Sequence, residues 1–302
     1  MADTQMNLKN LYEHHYKKLL VLPTVLVLIA VIIIGVQYNT TGDILNRDVS
    51  LKGGITATVE TTQKLDLDML EKQLTTIFGD VGIRRLAEFG TDSQIGIIVE
   101  IGETKEAELK SALEEALNLK LTENNYSTEI VGSSLGESFY KQLLVAMMFA
   151  FLFMGIVIFV AYRTFIPSIT VISAAFFDII CTIAVIDLIG LKVSTAGIAG
   201  ILLLIGYSVD SDALLTTKVI KRKEGLLIER VLESMKTTFT MTVATIAAVV
   251  AGFLVSSSTV LQEMFTIILV GLVIDLIMTY AMNAPILIMY VKKKESAGAV
   301  VK

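Results

Sequence analysis

Three aspartates lie where a bilayer makes a charge costly. Asp178, Asp210 and Asp275 each fall inside an apolar run long enough to cross lipid. An ionised carboxylate at the centre of such a helix costs about 2.5–3.5 kcal/mol on an insertion scale. Each must therefore face a protein interior, carry a proton or meet a partner. No Lys, Arg or His stands at comparable depth, so an internal salt bridge is not expected. Carboxyls held this way exchange protons, which makes the three candidate proton-linked groups. The plainer alternative is that neutral acids donate hydrogen bonds that lock helices together.

Asp210 belongs to a polar cluster, Gly206-Tyr207-Ser208-Val209-Asp210-Ser211-Asp212, in an otherwise apolar run. Gly206 and Asp210 share one helical face, continued by Ala213 and Thr217, while Ser208 and Asp212 share another. Two polar faces on one helix imply neighbours on both, so Tyr207, Ser208 and Asp212 join the candidate residues. Ser194, Gly197 and Gly200 form a small-residue seam that lets another helix approach. Asp187 is turned about half a revolution from Asp178 at ~100° per residue and reads as a solvated interfacial acid. His14 and His15 lack metal-ligand spacing and read as membrane-surface residues. With no Walker lysine, GxSxG or H-E-x-x-H motif, the chain offers no ATPase or familiar hydrolase chemistry. No catalytic residue, cofactor or metal site is expected.

The elements that position these residues are membrane spans. Of 302 residues 54% are hydrophobic and 18% charged, a more apolar balance than soluble domains carry. The apolar residues gather in runs of roughly 20, the length needed to cross ~30 Å of hydrocarbon. Spans are expected at Leu19 to Val36, Leu143 to Tyr162, Phe165 to Ile189, Val193 to Val219, Phe239 to Val255 and Leu261 to Val291. The first run has no small-x-small cleavage site and is expected to remain as an anchor. Pro285 after Asn283 implies a kink or an interfacial first turn in the last run, which is too long for one straight span. Cys181, the single cysteine, lies in an apolar run and permits no intrachain disulfide. The net charge of −5 and the lack of a basic stripe interleaved with aromatics give no support to nucleic-acid binding.

Basic residues set the orientation. Lys9, Lys17, Lys18, Arg163, Lys218, Lys221, Arg222, Lys223, Arg230, Lys236 and Lys292 to Lys294 fall on one side, against Lys192 in the opposite short loops. The positive-inside rule makes both termini cytoplasmic, in the cell membrane. Residues 1–18 and 292–302 are then cytoplasmic tails, 37–141 an extracytoplasmic domain, and 142–291 the remaining spans with a cytoplasmic loop at about 219–238. Within 37–141, Leu51 to Glu60 alternates, Leu67, Leu70, Leu74 and Ile77 recur at helical spacing, and Ile83 to Phe89 reads as a strand. Ile95, Ile97, Val99 and Ile101 alternate, Leu109, Leu113, Ala116 and Leu117 share a helical face, and Ser127 to Val131 closes the sheet. The order βαββαβ is that of a ferredoxin-like α+β domain. The expected fold class is thus an α-helical membrane protein with six transmembrane helices and such a domain between spans 1 and 2.

Leu51-Lys52-Gly53-Gly54 after the first span, the Gly206 to Asp212 motif in the fourth, and six spans with one large loop together resemble the SecF family of protein-export membrane proteins. That family lies in the SecD/SecF branch of the resistance–nodulation–division superfamily, and the resemblance points to its archaeal members. It implies a non-enzymatic translocation accessory subunit that acts with a SecD-like subunit, the protein-conducting channel, the translocating polypeptide and membrane lipids. Bacterial members read approximately G-Y-S-x-N-D-T followed by F-D-R. Asp210 then stands at the Asn, Ser211 at the Asp and Asp212 at the Thr, with Thr217 and Lys218 replacing the Asp-Arg pair. Gly53 and Gly54 are expected to form a tight turn or a close backbone approach, or else a simple strand bulge, and Lys52 to be an interfacial or solvated lysine. Two other functions fit the spans: half of a small-molecule or lipid exporter, and an intramembrane aspartyl protease.

Overall fold

Hydrocarbon leaves no partner for an unpaired backbone group, so each apolar run must close its own hydrogen bonds as a helix. The computed structural model describes residue 9 and residues 12–63, 65–87, 94–102, 104–221, 225–256 and 258–299. Among these, six helices are long and apolar enough to cross a membrane. In chain order the elements are α1 (Val21–Thr41), β1 (Gly54–Glu60), α2 (Leu67–Phe78), β2 (Val81–Ala87), β3 (Gln94–Ile101), α3 (Glu106–Leu117) and β4 (Tyr126–Val131). They continue as α4 (Ser133–Tyr162), α5 (Phe165–Leu188), α6 (Thr195–Thr216), α7 (Leu227–Val255), α8 (Thr259–Met278) and α9 (Ala284–Ala299). A π-helical turn, Thr279–Asn283, joins α8 to α9 as one long span, and another, Thr217–Lys221, extends α6.

Burial sorts the spans into two groups. About half of the apolar window is buried in the third, fourth and sixth (56, 50 and 56%), against 11, 6 and 11% in the first, second and fifth. The centre is therefore α5, α6 and α8, and the outer helices present apolar side chains such as Ile32, Phe153 and Leu254 outward. Small residues bring α1 close: Ala30 packs with Cys181, Ala184 and Met278.

The α+β unit is a four-stranded antiparallel sheet of order β2-β3-β1-β4. Ala57, Val59, Ile97 and Val99 on one face pack with Leu70, Leu74, Leu109 and Leu113 from the two helices. Ile77 points outward instead, 65% exposed.

Several boundaries differ from the sequence reading, each for a packing reason. The strand expected from Leu51 starts at Gly54, because Asp48 accepts from the Ser50 amide (2.9 Å) and holds Val49–Lys52 as a helical turn. Leu51 is then buried among bundle residues including Ile186 and Val193. The second strand runs Val81–Ala87, and Glu88 and Phe89 lie outside the described residues. The loop expected at about 219–238 is largely helical: α7 starts at Leu227 because Ile228 and Val231 are buried with Tyr12, Leu215, Tyr280 and Leu287. The break in the last run is the π-helical turn before Pro285, whose ring clashes with an ordinary helical carbonyl four residues back.

Gly53 and Gly54 sit where the α+β unit meets α4. Both have positive φ (+87° and +140°), and a side chain on Gly53 would run into the Ser133 backbone. Gly136 answers from the helix, where a Cβ would lie 2.8 Å from the Gly53 nitrogen. The turn is thus a close backbone approach. Gly79 has a similar φ (+83°) with nothing within 4 Å, which separates crowding from backbone strain. Gly53→Ala is expected to lower the melting temperature in detergent clearly more than Gly79→Ala; equal shifts would show that the contact with α4 contributes nothing.

Candidate functional site

Residues at helical spacing on three helices build one polar core. Ser208, Ser211 and Asp212 share a face of α6, and Asp275, Thr279 and Asn283 continue down the sixth span. Asp178 faces them from α5. Asp178, Asp212, Asp275, Thr279 and Asn283 are all wholly buried. Ser208 Oγ donates to Asp178 Oδ2, and Ser211 Oγ donates to Asp275 Oδ2 at 2.8 Å. Asp212 Oδ1 accepts from Thr279 Oγ1 (2.9 Å) and Asn283 Nδ2 (2.7 Å). The Asp178 and Asp275 carboxyls are neighbours in this core, each bonded to a serine on the same face of α6. Among the described residues no Lys, Arg or His forms an ion pair with any of the three. One oxygen of each carboxyl has no hydrogen-bond partner.

Glycines and the π-helical turn bring these faces together. Gly200 admits Met264 (3.1 Å from its ideal Cβ position), and Gly271 admits Leu204 (Cγ at 2.9 Å). The π-helical turn contains both Thr279 and Asn283, so it presents both donors to Asp212.

Asp210 lies elsewhere. Two positions from Ser208 and from Asp212, it is rotated by about 200° onto the opposite face and is exposed. It lines a groove of about 620 Å³ with Leu203, Gly206, Tyr207, Thr245 and Phe265. Tyr207 donates from this side to Thr242 Oγ1 at 3.0 Å. Lys52 pairs with Asp43 (3.7 Å), and His14 and His15 are exposed. Asp187 is not merely solvated: it accepts from the Asn46 amide at 3.2 Å. Lys218 turns to Thr237 (3.0 Å) and Glu233 (3.6 Å), away from the aspartates.

A second cluster went unread in the sequence. Glu263, near the start of α8 and 3% exposed, accepts from the Ser194 amide at 2.7 Å, so its carboxyl caps the N-terminus of α6. Gly197 leaves the space that the carboxyl occupies. Arg84 of β2 lies 4.0 Å from Glu263 and 2.9 Å from Glu100 of β3, while Lys192 pairs with Asp80 at 3.0 Å. Beside them Asp48 N donates to Val193 O (3.0 Å) and Val193 N to Asn46 O (2.7 Å). The α+β unit is thereby stitched to the loop between the third and fourth spans. Burial holds the Glu100 carboxyl above its ordinary value, against the pull of the Arg84 guanidinium. The signals in the sequence were slight: one acid at the head of an apolar run, and an Arg in a strand.

Fold and site together define a multi-pass membrane protein with a buried carboxyl core and an α+β unit docked over it. The profile of the family described as "Protein export membrane protein SecD/SecF, C-terminal" matches residues 110–293. The chain is 33% identical over 289 residues to the protein-export membrane protein SecF of Pyrococcus furiosus, covering 95% of each chain. It is 35% identical over 292 residues to SecF of Methanothermobacter thermautotrophicus, covering 92% of this chain and 93% of that one. Its fold matches the crystal structure of SecDF, a translocon-associated membrane protein from Thermus thermophilus, with a TM-score of 0.68 at 19% identity, over 92% of this chain and 38% of that one. The chain therefore spans well under half the length of that solved protein. It belongs to the SecF family of protein-export membrane proteins.

Gly197→Ala would push a methyl group against the Glu263 carboxyl, Val193 Cγ1 (2.7 Å) and Ile267 Cδ1 (3.0 Å). It is expected to cost about 1–3 kcal/mol in thermal stability measured in detergent. Gly206→Ala, with nothing within 4 Å, is expected to be neutral or slightly stabilising; equal losses would deny Glu263 its capping role. Glu100 gives a test in pH. Because its folded value is raised, the stability it confers is greatest below the ordinary value of 4.5 and is lost as pH climbs through the raised one. Stability of Glu100→Gln is expected to decline less with rising pH than that of the parent, and parallel pH curves would contradict the assignment.

Proposed function

We propose that the chain is an accessory subunit of protein export, working with a SecD-like subunit beside the protein-conducting channel to help polypeptide leave the membrane. It is a non-enzymatic role. The α+β unit is of the ferredoxin-like type, a reading supported by its βαββαβ element order and its β2-β3-β1-β4 sheet. It faces outward, with both termini and the loop between the fourth and fifth spans in the cytoplasm, as the basic residues at that end of the bundle favour. There it meets the emerging polypeptide. The names of the relatives in Pyrococcus and Methanothermobacter support this reading over the exporter and protease alternatives.

The observation that carries the mechanism is the buried core of Asp178, Ser208, Ser211, Asp212 and Asp275. Neighbouring buried carboxylates with no cation beside them repel if both are ionised, so Asp178 and Asp275 stay together on the serines of α6 only while the pair holds a proton. Loss of that proton leaves two uncompensated charges in a low dielectric, and the cheapest response is for α5 and α8 to separate or for water to enter. Either change moves α6, which lies between them through Ser208 and Ser211. The other end of α6 is held by Glu263, within reach of Arg84 of the α+β unit. A proton-dependent shift in the core and a polypeptide-dependent shift of the outer unit thus act on one helix, as reciprocal coupling requires.

Asp212→Asn and Asp275→Asn are each expected to lower export of a secreted reporter by about tenfold while the abundance of the chain in the membrane is unchanged. Asp210→Asn, on the opposite face, is expected to have a much smaller effect. Normal export in both core variants would sink the mechanism.

A further inference from the structure

Three lysines converge at the end of the bundle remote from the α+β unit. Lys17 precedes α1, and Lys292 and Lys293 lie on α9. Together they rim a crevice of about 390 Å³ that also contains Tyr16, Ile166 and Met289. Among the described residues none of the three ammonium groups forms an ion pair. Lys292 is held in place, its Nζ 4.5 Å over the Tyr16 ring and 3.5 Å from the Glu13 carbonyl. Lys17 and Lys293 are exposed. The apolar floor is open as well, with Ile166 45% and Met289 38% exposed.

Like charges brought together without a carboxylate repel unless an anion sits between them. The crevice lies where the first span begins, the third begins and the sixth ends, which is the depth of lipid headgroups, and a tyrosine at such a level is an interfacial anchor. Its ligand must therefore be anionic at one end and apolar at the other. A free phosphate would gain nothing from Ile166 and Met289, and an apolar helix would leave the lysines unpaired. We propose that this crevice binds the phosphate headgroup of an anionic membrane phospholipid, with Lys17 and Lys293 as its contacts, Lys292 stacked on Tyr16 behind them, and the lipid's glycerol and upper acyl chain on Ile166 and Met289. The site tethers the ends of three spans and belongs to none of the groups of the buried core.

The test is native mass spectrometry of the full, delipidated chain in detergent, titrated with phosphatidylglycerol or with phosphatidylcholine. Phosphatidylglycerol is expected to bind at about tenfold lower concentration. That preference should vanish in K17Q/K293Q, which leaves the Lys292–Tyr16 stack intact. It should persist in K105Q/K120Q, two exposed lysines of the α+β unit. If K17Q/K293Q does not elute as a single helical species, K293Q alone is read in the same way, with a severalfold loss expected. Equal binding of the two lipids, an unchanged preference in the lysine variants, or full displacement of phosphatidylglycerol by equimolar inorganic phosphate would each overturn the proposal.

Discussion

Carboxyl groups in hydrocarbon, with no cation beside them among the described residues, are the constraint around which this bundle is organised. Each of Asp178, Asp212 and Asp275 must find hydrogen-bond donors within a few ångströms, and the chain supplies hydroxyls and an amide from the facing helices. That requirement explains why the third, fourth and sixth spans are central while the other three lie outside. It also explains the glycines at 200 and 271, each placed where a neighbouring side chain needs the space of a missing Cβ. The π-helical turn before Pro285 serves the same end. A proline obliges the helix to loosen there, and the loosened turn delivers two donors to one aspartate.

The α+β unit is more than a neighbour of this bundle, because its contacts fall on the start of the helix that carries the serines and Asp212. Backbone hydrogen bonds tie residues 46 and 48 to Val193, while Glu263 reaches from the sixth span to cap the fourth. Arg84 stands between Glu263 and Glu100, so a shift of the sheet changes the charge balance at a helix N-terminus, where a carboxylate matters most. At the remote end a separate set of contacts closes the bundle. Tyr12 donates to the Tyr280 carbonyl at 2.7 Å, next to the second turn of α7 and the end of α6. The polar core thus lies between two closed ends, one of which carries the α+β unit.

Much of this was legible from residue type and depth, and the rest depended on rotation about helix axes. Asp178 and Asp275 stand out because a carboxylate near the middle of an apolar run has few alternatives. The choice between Asp210 and Asp212 does not follow from depth: both lie in the same motif, and only the positions of α5 and α8 decide which face of α6 is interior. Alternation at Ile97, Val99 and Ile101 marked β3, yet Leu51 looked like the start of β1 when it is buried with the membrane helices. Pro285 announced the break in the sixth span, whereas Thr217–Lys221 carries no residue that signals a π-helical turn. Glu263 was passed over because an acid near a span's end usually meets water; its burial depends on Gly197 and Ser194 of another helix.

The central claim is that Asp178 and Asp275 share a proton inside the assembled bundle. Infrared absorption of the purified chain at neutral pH tests it directly, since a protonated carboxyl and a carboxylate absorb in different regions. The expected spectrum contains a protonated-carboxyl band that persists at neutral pH and is weakened or shifted in both Asp178→Asn and Asp275→Asn. A parent spectrum with carboxylate bands alone, or a protonated band indifferent to both substitutions, would contradict it.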